Sequence, residues 1–296
     1  MFLNHGSGPA LYNTPSVEAE AQRSDMKISV VTISLNSQAT IAGTIHSFLS
    51  QTYPHKELVV IDGASTDRTL DIVKGFQSPL IRLVSERDQG IFDAMNKGLS
   101  IYRGDAIGFL NSNDRFHDAL SLAQIAAALG ETDVAHGGVW MVRDHESKHL
   151  VRNWKGTPFK RGKFRLGWMP PHPTFYMRRS LAEEIGKFDV RYEIAADYDY
   201  MLRALEIHAA SSTCIPGPLV DFLVGGQSSG SLRKVLKGNL ECLQSRRERL
   251  GAPLIDAAFF LKPSLKMLQQ HSAFGSARNF LARFLPVDDN SRTRSR

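Results

Sequence analysis

Acidic and amide side chains recur in this chain where runs of apolar, often β-branched, residues stop. Asp62 follows Glu57-Leu58-Val59-Val60-Ile61, with Ser65, Thr66 and Asp67 close behind it. Ser85-Glu86-Arg87-Asp88-Gln89-Gly90 follows residues 80–84, and Asn111-Ser112-Asn113-Asp114 follows Ala106-Ile107-Gly108-Phe109-Leu110. Further on, Asp197 and Asp199 open a segment with Tyr198, Met201, Leu202 and Leu205 at core-helix spacing. Oxygen donors of this kind suit Mg²⁺ or Mn²⁺ together with phosphate oxygens. A carboxylate can also take the proton of an attacking hydroxyl. Each group has a plain structural reading as well. Asp62-Gly63 is a common turn pair, and Ser65 or Thr66 can cap a helix. Glu86 and Asp88 can be solvated, and residues 111–114 can be an Asx-rich helix entry. Asp197 can be an N-cap, with Asp199 and Arg203 a solvated i,i+4 pair.

The elements that must position these groups can be read from the apolar pattern. Ile28-Ser29-Val30-Val31-Thr32-Ile33 reads as a buried strand, and residues 57–61, 80–84 and 106–110 as three more. Between them Ile41, Ile45, Phe48 and Leu49 mark one helix face, Leu70, Ile72 and Val73 a second, and Ile91, Ala94, Met95 and Leu99 a third. A further helix is expected from about Asp118 to Leu129. This alternation predicts an α/β fold with a mostly parallel, doubly wound sheet and helices on both faces. In such a sheet ligands bind at the carboxyl ends of the strands. Ser34-Leu35-Asn36, Asp62 to Asp67, Ser85 to Gly90 and Asn111 to Asp114 would therefore converge on one edge. One polar strand end is ordinary loop chemistry, whereas four converging ends make a binding site. Beyond about Asp133 the pattern shifts to shorter, Gly- and aromatic-rich segments, expected as antiparallel strands and loops. The helix at 197–206 follows, and after Gly225-Gly226-Gln227-Ser228 the chain reads as basic, amphipathic helix. The expected organisation is a lead-in over residues 1–25, a catalytic domain over 26–226 and a helical extension over 227–296.

Bulk composition narrows the function. The 296 residues are 42% hydrophobic and 22% charged, ordinary for a soluble globular protein. Cys214 and Cys242 form no CxxC pair, so neither a disulfide framework nor a zinc knuckle is expected. Residues 1–25 lack the charged and apolar blocks of a signal peptide, and no run approaches the roughly 18 apolar residues of a membrane span. A cytoplasmic location is expected. From Gln227 onward the chain holds 13 Lys or Arg against 5 Asp or Glu, while the remainder holds 23 against 25. The basicity belongs to the tail, and the body has no field suited to nucleic acid. Lys234 to Gly238 and Arg246 to Arg249 cluster charge, and Phe259, Phe260, Leu261, Leu265 and Leu268 are apolar at near-helical spacing. Such helices either lie on the anionic inner face of a membrane or pack on the catalytic domain or a second copy of it, as in a homodimer.

Five ordered motifs carry a resemblance. They are Ser29 through Asn36 with Ser50-Gln51-Thr52-Tyr53-Pro54, then Val60-Ile61-Asp62-Gly63-Ala64-Ser65-Thr66-Asp67, then residues 85–98, then Gly108 through Asp114, then Ile194-Ala195-Ala196-Asp197-Tyr198-Asp199. Together they resemble a family 2 (GT-A fold) inverting glycosyltransferase over about residues 27–226. The resemblance implies a nucleotide-sugar donor, most often a UDP-sugar, and a glycan or lipid-linked acceptor in surface polysaccharide synthesis. It implies that Asp62 holds the nucleobase, and that Asn36 with Thr32, Ser34 and Ser65 lines the nucleotide. Asp88 and Lys97 would lie near the donor. Asn111-Ser112-Asn113 stands in the place of the family's DxD, which binds ribose and the metal-diphosphate, and Asp197 in the place of the catalytic base of the ED motif. His172 and Trp168 would lie on the acceptor side; Trp154 is a further stacking candidate, and Ser228 falls in a candidate covering loop. Two positions depart from the pattern. Asn113 replaces an Asp, which weakens the expected Mn²⁺ or Mg²⁺ site unless Asp114 supplies the charge. Ala196 replaces the Glu of the ED pair. The competing readings are a catalytically weak nucleotide-sugar binder and a nucleotidyltransferase, though no basic phosphate loop follows the first strand. A glycosidase would leave the four-strand polar edge unexplained.

Overall fold

A computed structural model describes residues 25–225 and 232–253. Its centre is a nine-stranded sheet in the order β3-β2-β1-β4-β8-β6-β9-β5, with β7 paired to β6. Four strands form the parallel half: β1 (Ile28–Ser34), β2 (Lys56–Asp62), β3 (Ile81–Ser85) and β4 (Ala106–Phe109). The apolar residues of β1, β2 and β4 are buried on both faces, as a sheet covered by helices on both sides requires, while the edge strand β3 is half-buried. Val31, Ile33, Val59, Ile61, Ile107 and Phe109 meet one apolar core, and Val30, Leu58, Val60 and Ala106 the other. Helix α1 (Ile41–Leu49) packs in the second core with α2 (Thr69–Gly75) and α4 (Ser121–Glu131), while α3 (Ile91–Ile101) covers the first.

The other half of the sheet is mixed. β8 (Tyr176–Arg178) runs antiparallel to both β4 and β6 (Val134–Val142). β6 pairs in parallel with β9 (Ser212–Leu223), β5 (Arg115–Phe116) runs antiparallel to β9, and β7 (Leu150–Trp154) lies antiparallel on β6. Gly108 allows Tyr176 to cross β4, since a Cβ there would stand 2.3 Å from the Tyr176 ring. α5 (Arg179–Ile185) and α6 (Ala196–Leu202) follow β8, and α6 continues as a π turn over Arg203–Ile207. The final described helix is α7 (Leu232–Leu250), which docks on α6. Among the described residues no helix is long and apolar enough to cross a membrane.

Candidate active site

The carboxyl ends of β1, β2 and β3 lie in register, with Ser34 beside Asp62 and Asp62 beside Ser85. Asp62 is fully buried and locks them together. Its Oδ1 accepts the hydroxyls of Ser34 (3.2 Å) and Ser65 (2.5 Å), and its Oδ2 accepts the Ser65 N–H (2.9 Å) and the Ser85 hydroxyl (2.8 Å). A carboxylate offers about four acceptor sites, and all are taken inside the protein. Asp62 thus sets the shape of the edge and leaves no free oxygen pointing out of it.

What faces the cleft is built around that lock. A Cβ on Gly63 would meet Asp88 Oδ2 at 2.6 Å and Leu35 Cδ1 at 3.4 Å, so both side chains close over the bare glycine. Leu35 is 49% exposed. An apolar side chain and a carboxylate over a glycine floor suit one face and one edge of a planar base. Sequence reasoning singled out Asp88 but passed over Leu35 and Gly63. The available signal was an apolar residue stranded in an otherwise polar strand-end loop. Asp88 Oδ1 also accepts the Gly90 N–H (3.0 Å). Lys97 pins the same loop from α3, pairing with Glu86 (3.1 Å) and Asp93 (3.8 Å) and donating to the Arg87 carbonyl (2.6 Å).

The first two loops are laced together. Asn36 adopts φ 49°, its N–H donates to Ser65 Oγ (2.8 Å), and its Oδ1 accepts the Thr66 N–H (2.9 Å). Ser37 Oγ meets Ser112 Oγ at 2.8 Å, which ties in the loop after β4. Thr32 is the exception among the expected nucleotide residues. It is buried within β1 with its hydroxyl unpartnered, and does not reach this edge.

At residues 111–114 the structure sets aside the idea that Asp114 supplies a metal's missing charge. Asp114 is fully buried, its Oδ2 accepts the Asn111 amide (3.1 Å), and its Oδ1 accepts the Leu223 N–H of β9 (3.2 Å). Burial raises its pKa to about 7 against those two hydrogen bonds. Asn113 is half-buried, and its carbonyl accepts His145 Nε2 (2.8 Å). No cluster of three metal-ligating His, Cys, Asp or Glu exists among the described residues. A neutral amide beside an inward-turned acid does not fit a preformed divalent-metal site, which ordinarily offers one or two carboxylates.

On the far side of β4, His172 stacks on Phe109 with ring centroids 5.8 Å apart. Burial pushes the His172 pKa down, and the nearby charge of Asp197 pulls it back up. His172, expected on the acceptor side, and Asp197, expected as the base, therefore lie close enough for the charge of one to act on the other. Asp197 is partly exposed in the first turn of α6, and its Oδ1 accepts the Tyr198 N–H (2.7 Å). Trp168 sits in an aromatic cluster with Phe159 (5.7 Å), Phe164 (5.4 Å) and His136 (6.1 Å), its Nε1 donating to Thr157 Oγ1 (2.8 Å).

α7 holds the Asp197 segment from behind. Glu241 accepts the N–H groups of Glu193 (3.2 Å), Ile194 (2.8 Å) and Ala195 (2.9 Å). Asp199 does pair with Arg203 (2.8 Å), but the pair is not solvated. Asp199 is fully buried and also bonds Ser245 Oγ (2.9 Å) and Arg249 Nε (3.0 Å) of α7. Arg246 is 1% exposed and donates to the Tyr198 hydroxyl (3.2 Å). Arg246 and Arg249 are thus spent on the body of the protein, in keeping with the packing alternative of the two readings for this segment. Phe259 to Leu268 and Ser228 lie outside the described residues.

Polar strand ends gathered at the carboxyl edge of a parallel sheet, with a carboxylate-bearing helix later in the chain, are the arrangement of an α/β enzyme. The sequence profile of "Glycosyl transferase family 2" matches residues 29–186, and the chain belongs to that family. It is a glycosyltransferase of GT-A fold. It is 34% identical over 181 residues to a PGL/p-HBAD biosynthesis glycosyltransferase of Mycobacterium bovis, covering 59% of this chain and 68% of the relative. Among solved structures, Staphylococcus aureus TarS residues 1–349 in complex with UDP-GlcNAc matches with TM-score 0.55 and 20% identity, over 79% of this chain and 69% of that one. The mannosyltransferase PcManGT of Pyrobaculum calidifontis, in complex with GDP-Man and Mn²⁺, matches with TM-score 0.58 and 18% identity, over 88% and 79%.

Proposed function

We propose that this glycosyltransferase moves a sugar from a nucleoside-diphosphate donor, UDP-sugar favoured, to an acceptor hydroxyl with inversion at the anomeric carbon. One observation carries the reading. Three locked strand ends hold Leu35 and Asp88 over the bare Gly63, and a partly exposed carboxylate, Asp197, acts on His172. Leu35, Gly63 and Asp88 receive the base, and the laced loops at Asn36, Ser65 and Ser112 receive the ribose and phosphates through side-chain and backbone donors. Asp197 takes the acceptor proton as the oxygen attacks the anomeric carbon, and the bond from that carbon to the diphosphate breaks on the opposite face. His172, kept neutral by its burial, hydrogen-bonds the acceptor without competing for the proton.

No step is assigned to a protein-held metal, because Asn113 and the inward Asp114 do not make such a site. The proposed acceptor is a surface polysaccharide or a lipid-linked glycan; the mycobacterial relative is named for PGL/p-HBAD biosynthesis. The nucleotidyltransferase alternative falls with the family assignment, while the departure at Asn113 keeps a weakly catalytic binder as the second reading.

Calorimetric titration of UDP, GDP and dTDP, each with and without Mn²⁺, tests the donor half, and Asp197→Ala tests the base. The expected result is binding of one nucleotide, retained in Asp197→Ala while transfer is lost. Absence of binding by all three, with and without metal, refutes the donor site. Retained transfer by the variant refutes the base.

A further inference from the structure

Residues 148–166 hold seven Lys or Arg and no Asp or Glu. They comprise β7, which pairs only with β6 outside the main strand path, and the segment after it. Elsewhere on the body pairing is mixed, and Arg68, Lys74, Arg87, Arg103, Arg143 and Lys187, which form no ion pair with an acid among the described residues, are scattered along the sequence. Lys27, Lys97, Arg115, Arg179, Arg191 and Arg203 each pair with a carboxylate. Within this segment only Lys148 does so, with Asp221. Arg152, Lys155, Lys160, Arg161, Lys163 and Arg165 form no ion pair with an acid among the described residues. Lys163 and Arg165 meet only backbone carbonyls, of Pro158 (2.7 Å) and Leu250 (2.5 Å), apart from the Lys163 contact with the Trp168 ring.

A run of solvated cations is ordinary, but this one is interleaved with bare apolar side chains. Leu150 is 43% exposed, Val151 49% and Leu166 66%. A soluble polyanion would use the charges and leave these side chains in water. A bilayer interface uses both, anionic headgroups for the cations and the acyl boundary for the apolar tips. The segment also leads to the catalytic centre. Phe159 and Phe164 pack on Trp168, and the Phe164 carbonyl accepts the hydroxyl of Tyr198, the residue after Asp197.

We propose that residues 148–166 are a docking surface for an anionic lipid bilayer, which would bring a membrane-borne acceptor to the Asp197 side of the enzyme. Vesicle binding is read without donor or acceptor, so its failure is distinguishable from failure of the sugar-transfer reading. The test is co-sedimentation of the full chain with phosphatidylcholine vesicles, alone and mixed with phosphatidylglycerol, at low and high salt, with polyphosphate as a soluble polyanion. The expected result is binding to the anionic vesicles only, weakened by salt. K155S/K160S/R161S should lower the partition coefficient roughly 100-fold, and L150S/L166S should lower it without changing polyphosphate binding. The control R292S/R294S/R296S, on the basic C-terminal tail, should bind as the parent does. Equal binding to neutral vesicles, binding to polyphosphate alone, or loss in the tail control with retention in K155S/K160S/R161S each overturns the proposal. Circular dichroism of every variant confirms that these exposed changes leave the fold intact.

Discussion

Two aspartates two residues apart on α6 should respond to the same substitution in opposite ways. Asp199 has no exposed surface and is held by Arg203 at 2.8 Å, Ser245 at 2.9 Å and Arg249 at 3.0 Å. Removing one partner of a buried ion pair costs about 3–5 kcal/mol, because the remaining charge stays desolvated. Arg203 keeps the carbonyls of Ile185 (2.6 Å) and Lys187 (2.7 Å), and the Arg249 side chain is 31% exposed, so the lower end applies. Asp199→Asn should therefore cost about 3 kcal/mol, a large share of a typical domain stability of roughly 5–15 kcal/mol. Among the described residues Asp197 accepts one hydrogen bond, from the adjacent Tyr198 N–H, and an asparagine oxygen can still accept it. Its substitution forfeits only the helix-terminus charge effect, about 0.3–1 kcal/mol, yet removes a general base worth about 100- to 10,000-fold in rate. Urea unfolding followed by tryptophan fluorescence reads the first quantity, and release of nucleoside diphosphate during transfer reads the second. Asp197→Asn destabilising the chain more than Asp199→Asn would refute the burial argument. Transfer within about ten-fold of the parent in Asp197→Asn would remove its assignment as base.

Three further outcomes are expected. Burial, with the Lys163 charge adding to it, pushes the His136 pKa down from 6.5 to about 4, so the unfolded chain binds this proton first. The associated stability is complete above pH 6.5 and is lost as pH falls from there toward 4, about 3 kcal/mol in all. Asp114, which burial raises to about 7, contributes the opposite slope over the same range, so the His136 share is read as the difference in urea midpoint between the parent and His136→Leu, which should grow in the parent's favour as pH rises from 4 to 6.5. Gly63→Ala should push the Asp88 side chain aside, given the 2.6 Å approach, and weaken nucleotide binding by about ten-fold, roughly 1.4 kcal/mol, with little change in melting temperature. Unchanged calorimetric affinity would move the base pocket elsewhere. Glu241→Gln keeps an acceptor oxygen but loses the charge on three backbone N–H groups. It should lower kcat while leaving the donor KM near the parental value; equal losses in both would show a general structural defect instead.

Much of the parallel half could be read from the sequence because its signals are local. Ile28 through Ile33 and Leu58 through Ile61 are β-branched or apolar at every core position, and the polar residues begin where the register ends. The directions of the polar groups could not be read this way, because long-range partners set them. Asp114 turns inward to meet Leu223, 109 residues away, and Asp62 is absorbed by serines on neighbouring strands. The spacing of Asp199 and Arg203 correctly suggested a pair. Its burial depended on Ser245 and Arg249, whose helix looked from composition alone like a solvated basic face. The parallel pairing of β6 with β9 was hidden for the same reason, since two segments about 80 residues apart carry no local mark of each other.

The family profile ends at residue 186, ahead of both Asp197 and the helix whose Glu241 grips the backbone before it. On the proposed reading, the donor residues lie within the matched length and the segment that aligns the base lies beyond it. The edge formed by β1 to β4 can be kept while α7 and residues 193–199 are exchanged together as one cassette. A graft of either part alone would separate Asp199 from Ser245 and Arg249. On this arrangement, new acceptor chemistry arises by replacing a matched pair of segments, and single substitutions near the base are poor starting points for redirecting the enzyme.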